Sequence, residues 1–249
     1  MHHSHTNHTA LYYRSEVYIM QSQKREQQHY HGHRKRIKER FVKTGLGPFQ
    51  DYEALELLLT FAIRQKDLKP LAKELIARFQ TFQGVLDAPL NELKEVPGIG
   101  EHCAILIKLV KESSDFYLRE KIFHKDIISS PEALLKYCKS SMAGLANEQF
   151  RVIYLNTKNE VIADELLQEG TVDQSTVYPR KIIECALKQR ASALIFVHNH
   201  PSGSPEPSVH DKNLTDLLIQ VSENMGIKVH DHIIIGKPGY FSFREQGYL

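Results

Sequence analysis

From residue 51 to about residue 119, apolar side chains recur three and four positions apart, the spacing that lines one face of an α-helix. DYEALELLLTFAI, LKPLAKELIARF, TFQGVLDA, PLNELKEV and EHCAILIKLVKESSDFYL carry this period, broken by Pro, Gly and Asp. They predict four or five packed helices. Within 120–146, SSPEALLKYCKSSM predicts one more helix after a linker, with Ser130 as N-cap and Pro131 at the first helical position. After Asn147 the period changes. QFRVIYLN alternates apolar with polar, TKNE reads as a turn, and VIADELLQEGTV reads as the returning strand of a hairpin. PRKIIECALKQR and SVHDKNLTDLLIQVSENMG then read as helices, SALIFV as a buried strand, and IKVHDHIIIG and YFSF as strands. An all-α N-terminal domain followed by an α/β domain on a mixed sheet is the expected class. The expected division is a tail over 1–28, a basic segment with helices over 29–119, a linker and helix over 120–146, and the α/β domain over 147–249.

Composition narrows this picture without redirecting it. The chain has 249 residues, 41% hydrophobic and 25% charged, enough for one large domain or two small ones. A net charge of +2 demands neither nucleic acid nor an anionic membrane, so the placement of charge matters more than its sum. Arg34, Lys35, Arg36, Lys38, Arg40 and Lys43 crowd together with Glu39 as the carboxylate among them, forming a basic patch. Cys103, Cys138 and Cys185 are far apart and form no CxxC pair, which argues against a disulfide framework or a thiolate zinc site. The longest apolar stretch, ALELLLTFAI, contains Glu56 and is too short to span a bilayer, and the N-terminus lacks the apolar core of a signal peptide. No membrane partner and a cytoplasmic address are expected. The histidines near the start read as part of a solvated tail.

Chemistry concentrates in FVHNHPSGSPEPSVHD, residues 196–211. His198 and His200 follow an apolar strand, and residues two apart on an extended chain point to the same side with Cα atoms roughly 6.5 Å apart. Both imidazoles can then face one ion. Asp211 arrives after a Pro-rich loop at a helix start, where its carboxylate completes a His, His, Asp set with a zinc coordination position left for water. Two plainer explanations stand beside this one. Ser208 and Asp211 fit an S-x-x-D capping box, and an HxH at a strand end is ordinarily just hydrogen-bonded. Consecutive HNH does not make the nuclease signature of that name, whose residues are dispersed over a longer unit. Asn199 faces away from the two histidines and takes a loop-stabilising role.

HNHPSG followed by PSVHD resembles the JAMM/MPN+ metalloprotease domain, in its bacterial RadC branch. The resemblance extends through QFRVIYLNTKNEVI, EGTV, VYPRKIIECAL, DHIIIG and the closing EQGYL, and it covers the helical half too. It implies a deaminase-like mixed sheet, zinc ligands at His198, His200 and Asp211, a serine at Ser208 that steadies the tetrahedral intermediate, and an upstream general acid/base at Glu148. Glu165 and Glu169, in and after the hairpin's return strand, compete with Glu148 for that role. The implied activity is metal-assisted hydrolysis of a peptide or isopeptide bond in an unidentified substrate. In LKEVPGIGEHCAILIKLV, residues 93–110, Gly98 and Gly100 sit in a turn between two apolar-periodic helices, where backbone amides can approach a phosphate. This looks like a helix-hairpin-helix, a module that grips duplex DNA without reading bases, although Glu101 directly after the turn opposes an anion there. Two rivals follow: a DNA-binding module with a structural or degenerate metal domain, and a metal-dependent nuclease.

Overall fold

A computed structural model describes residues 32–64, 66–129, 131–170 and 177–249. The tail over 1–28, the Ser130 cap and the Thr171–Val172 end of the hairpin's return strand lie outside the described residues. The chain forms two compact units that part between Val110 and Lys111, inside one long helix.

The first unit is helical. A helix over 32–44 (α1) is followed by α2 (Asp51–Ala62), α3 (Lys69–Phe79), α4 (Phe82–Asp87), α5 (Leu90–Lys94) and the start of α6 (Glu101–Ile122). The predicted periodicity becomes one core: Leu55, Leu59, Leu75, Val85, Leu93 and Ile107 are completely buried together. Each such side chain contributes about 1.5–3 kcal/mol relative to exposure. Glu56, read from the sequence only as an interruption of an apolar run, is buried and meets His33 Nε2 at 2.8 Å. The basic patch proves to be a helix, and part of it is committed internally. Arg34 donates to the carbonyls of Ile63 and Lys66, and Arg40 makes a two-pronged pair with Glu53 at 3.1 and 2.7 Å. Lys35, Arg36, Lys38 and Lys43 remain exposed.

The second unit is a five-stranded mixed sheet in the order β2-β1-β3-β4-β5. Its strands are β1 (Glu148–Leu155), β2 (Val161–Gly170), β3 (Ala193–Asn199), β4 (Lys228–Ile235) and β5 (Tyr240–Ser242). Of the four neighbouring pairs in this order, β3–β4 is parallel and the others are antiparallel. In the β1–β2 turn, Asn156 Oδ1 accepts from the amides of Lys158 and Glu160, and Asn159 adopts φ 60°, a conformation asparagine tolerates well. Helix α7 (Pro131–Met142) covers one face over Ile153, Leu155, Ile195, Val197 and Ile233. Ile122 and Ile127, from the stretch before α7, join that core. Helices α8 (Pro179–Gln189) and α9 (Val209–Asn224) cover the other face over Phe150, Val152, Tyr154, Leu194 and Phe196. With both faces covered, every residue of β3 is buried, which is why SALIFV reads as a continuous apolar run. Burial also pushes the Cys103 thiol up to about 11, so it stays a protonated, unreactive packing residue.

This topology decides where the chemistry sits. Helix α9 connects parallel strands β3 and β4, and open α/β sheets place their sites beyond the carboxyl ends of such strands. Even-numbered residues of β3 face α9, so His198 follows Leu194 and Phe196 onto that side, and Asn199 faces the α7 side.

Candidate metal centre

Among the described residues, His198, His200 and Asp211 bring their ligand atoms within 4.8 Å of one another. His198 is the penultimate residue of β3, His200 begins the following loop, and Asp211 occupies the third position of α9. The loop between them is tied to the sheet. His200 and Lys237 donate backbone N–H bonds to the carbonyls of Ile235 and Gly203, each at 2.9 Å. Gly236 permits this approach, because a Cβ there would stand 2.3 Å from the Gly203 carbonyl oxygen. Gly203 takes φ 99°, a conformation suited to glycine.

The predicted capping box is present and coexists with the cluster. Ser208 Oγ accepts from the Asp211 amide at 3.1 Å, and Asp211 Oδ2 accepts from the Ser208 amide at 2.7 Å. The Ser208 hydroxyl also donates to Asp211 Oδ2 at 2.6 Å. Its proton is therefore committed to the carboxylate in this structure, rather than directed into open space.

The donor set fits a tetrahedral cation. His200 Nδ1 donates to the Ser204 carbonyl at 2.8 Å, which leaves Nε2 with a lone pair. His198 Nε2 lies 3.0 Å from His200 Nε2 and 3.3 Å from Asp211 Oδ1, and His200 Nε2 lies 3.5 Å from Asp211 Oδ2. Ligands bonded at about 2.0–2.1 Å around a tetrahedral centre stand roughly 3.3 Å from one another, so the observed separations match. Three electron-rich atoms packed so closely attract positive charge. The hydrogen bond to Asp211 raises the pKa of His200, so a proton and a metal compete for the same place. Burial would raise the Asp211 carboxyl, but His198, His200 and Ser208 outweigh it and hold the group well below the ordinary carboxylate range.

The cluster opens into a cavity of about 410 Å³ whose wall includes Glu148, Ser208, Phe150, Val177 and Leu214. Glu148 begins β1, beside the carboxyl end of β3. Its backbone is framed by Asn199, whose Oδ1 accepts from the Gln149 amide at 2.8 Å and whose Nδ2 donates to the Asn147 carbonyl at 3.1 Å. The two competing carboxylates lie elsewhere. Glu165 accepts from Gln189 of α8 at 2.7 Å, and Glu169 pairs with Gln149 on the opposite face of β1 from Phe150. Neither lines the cavity.

Sequence reasoning missed His232 and Thr215, both fully buried behind His198. No local signal marked His232, since strict alternation in KVHDHIII puts it on one face with Lys228, His230 and Ile234. Burial, then the neighbouring His198, pushes the His232 pKa well down, so it is a neutral ring.

In the first unit, the turn between α5 and α6 buries Val96 and Ile99 and leaves Gly98 and Gly100 exposed at its tip. Gly98 takes φ 95°, and a Cβ built on it would lie 3.3 Å from Lys66 Nζ. That ammonium is a cation beside the turn which spacing alone did not reveal.

A family profile for the RadC-like JAB domain matches residues 128–248. The UPF0758 protein SPO0054 of Ruegeria pomeroyi is 47% identical over 217 residues, covering 87% of this chain and 97% of that protein.

Proposed function

The chain belongs to the RadC-like JAB-domain family, and on that premise we propose that it is a zinc-dependent hydrolase of the JAMM type, cleaving a peptide or isopeptide bond. The observation that carries the proposal is the convergence of two imidazole nitrogens and a carboxylate at 3.0–3.5 Å, on the wall of a cavity that also contains a further carboxylate, Glu148. His198, His200 and Asp211 would hold the ion. Zinc in that place supplies Lewis acidity, polarising a carbonyl and making water a competent nucleophile near neutral pH.

The remaining chemistry belongs to the protein. Glu148 takes the proton of the attacking water and returns it to the leaving amine. Ser208 seats Asp211 through its amide and hydroxyl, and turning that hydroxyl toward the substrate lets it donate to the developing oxyanion. Phe150, Val177 and Leu214 exclude water around the scissile bond and favour an apolar substrate group. Zinc analysis of the purified chain, followed by a cleavage screen of peptides, isopeptide-linked peptides and duplex DNA, tests this reading. Zinc at about one per chain with peptide or isopeptide cleavage is the expected result. Cleavage of DNA alone points to the nuclease, and zinc without any turnover points to the structural-domain rival.

A second role for the helical unit is supported by the exposed Gly98–Gly100 turn and the Lys66 ammonium beside it. Backbone amides at the start of α6 would meet duplex phosphates without reading sequence. Gly100→Phe should then reduce duplex binding severalfold and leave the circular dichroism of both units unchanged, since a Cβ at Gly100 has no neighbour within 4 Å. Binding should also fall steeply as salt is raised. An affinity indifferent to both changes would leave the turn as scaffold. Among the described residues no helix is long and apolar enough to cross a membrane.

A further inference from the structure

His198 is the most buried of the three ligands, with a side chain 1% exposed, and its second ring nitrogen meets another buried ring. His198 Nδ1 stands 2.8 Å from His232 Nε2. His232 Nδ1 stands 2.6 Å from Thr215 Oγ1, which lies 2.6 Å from the backbone carbonyl oxygen of Asp211. We infer that these contacts form a proton-ordering relay, in which Thr215 and His232 hold His198 as the Nδ1–H tautomer and so present its bare Nε2 to the metal site. The inference rests on the metal-centre reading above.

The direction of every bond follows from the last member of the chain. A carbonyl oxygen only accepts. Two oxygens 2.6 Å apart repel unless a proton lies between them, so the single hydroxyl proton of Thr215 points to the Asp211 carbonyl. Thr215 Oγ1 is then left to accept, and the atom facing it, His232 Nδ1, must carry a proton. His232 is 0% exposed, and a second proton would bury a charge there. Its Nε2 is therefore bare and accepts from His198 Nδ1–H. Reversing the relay would strip the proton from the Thr215–carbonyl contact and put one on His198 Nε2, where a ligand lone pair is needed.

The relay starts on one ligand and ends on another. Thr215 lies one helical turn after Asp211, so its hydroxyl reaches the carbonyl four residues back, and the seating of α9 and the tautomer of His198 are set together. Phe243 stacks on the His232 ring with centroids 5.0 Å apart, while Phe150 and Phe196 meet it edge-on. His200 reaches the same tautomer by a direct bond to a carbonyl, that of Ser204. His232 and Thr215 are thus positioning residues, acting through His198.

Histidine-selective nitrogen NMR on the full metal-free chain tests this, with His198 assigned by its loss in His198→Gln. The expected signature is a protonated Nδ1 and a bare Nε2. Thr215→Val keeps the shape of the side chain and removes the hydroxyl. It should shift or mix the His198 tautomer and weaken zinc affinity about 10- to 100-fold, while Thr215→Ser should restore both to within about threefold. Affinity is read by chelator competition, with the His200→Ala chain as the baseline for zinc held elsewhere. If Thr215→Val does not fold, His232→Phe reads the same link with a ring kept among Phe150, Phe196 and Phe243. A proton on His198 Nε2 in the wild type, or variants with unchanged tautomer and affinity, overturns the relay. A wild type that shows the signature but takes up no more zinc than His200→Ala supports the relay and overturns the metal-centre reading.

Discussion

Glu148→Gln is expected to keep the zinc content and the unfolding curve of the wild type while lowering hydrolysis about 100- to 10,000-fold, the usual contribution of a general acid/base. The prediction follows from position. Glu148 lines the cavity with the His198, His200 and Asp211 cluster but is not part of the cluster itself, so removing its charge leaves the ligand atoms in place. Glutamine matches its shape and cannot move a proton. The measurement is turnover of whichever substrate the cleavage screen yields, beside Glu165→Gln and Glu169→Gln as comparisons. Those two should stay within a few-fold of wild type, because one is bound to Gln189 and the other lies on the far face of β1. Full activity in Glu148→Gln together with loss in either comparison would move the acid/base role to the hairpin. Full activity in all three would sink the JAMM mechanism for this chain.

Ligand replacement should act differently, abolishing metal uptake and activity together. His200→Ala and Asp211→Asn are better probes than His198→Ala, since His198 is buried against His232 and its removal would leave a cavity behind the site. With residues 1–28 deleted, wild-type protein should retain about one zinc per chain, and each variant should fall to background. Stability offers a second reading. Free zinc at a hundredfold excess over its Kd stabilises a folded protein by about 2.7 kcal/mol, so added zinc should raise the Tm of the wild type and leave both variants unmoved. Zinc that disappears with the tail, and persists in His200→Ala, would remove the basis for the assignment.

Much of the architecture was legible from local pattern because local pattern is what burial on a helix or strand face imposes. The period in DYEALELLLTFAI and LKPLAKELIARF marks positions that one core must accept, and Leu55, Leu59 and Leu75 are completely buried there. SALIFV announced a strand covered on both faces. His198, His200 and Asp211 were legible as candidates because two are strand neighbours and the third sits at a helix start, all within one short window of sequence. The resemblance to RadC proteins added Glu148, which spacing alone would not have singled out, and gave a catalytic role to Ser208, which spacing marked only as a helix cap.

What the tertiary structure decided concerns groups far apart in sequence. Glu148 is fifty residues before His198, and only the antiparallel pairing of β1 with β3 places it at the cavity, where Asn199 then frames it. The pairing of β1 with β2 sends Glu169 to the opposite face, a choice set by register, which the period of a strand does not reveal. Arg34 and Arg40 look like free cations in sequence; helix packing turns them onto Ile63, Lys66 and Glu53. His232 is the plainest case. Nothing adjacent to it in KVHDHIII marks it, because its role comes from Thr215 on α9 and His198 on β3, and hydrogen-bond direction passes through space between side chains that the chain itself keeps apart.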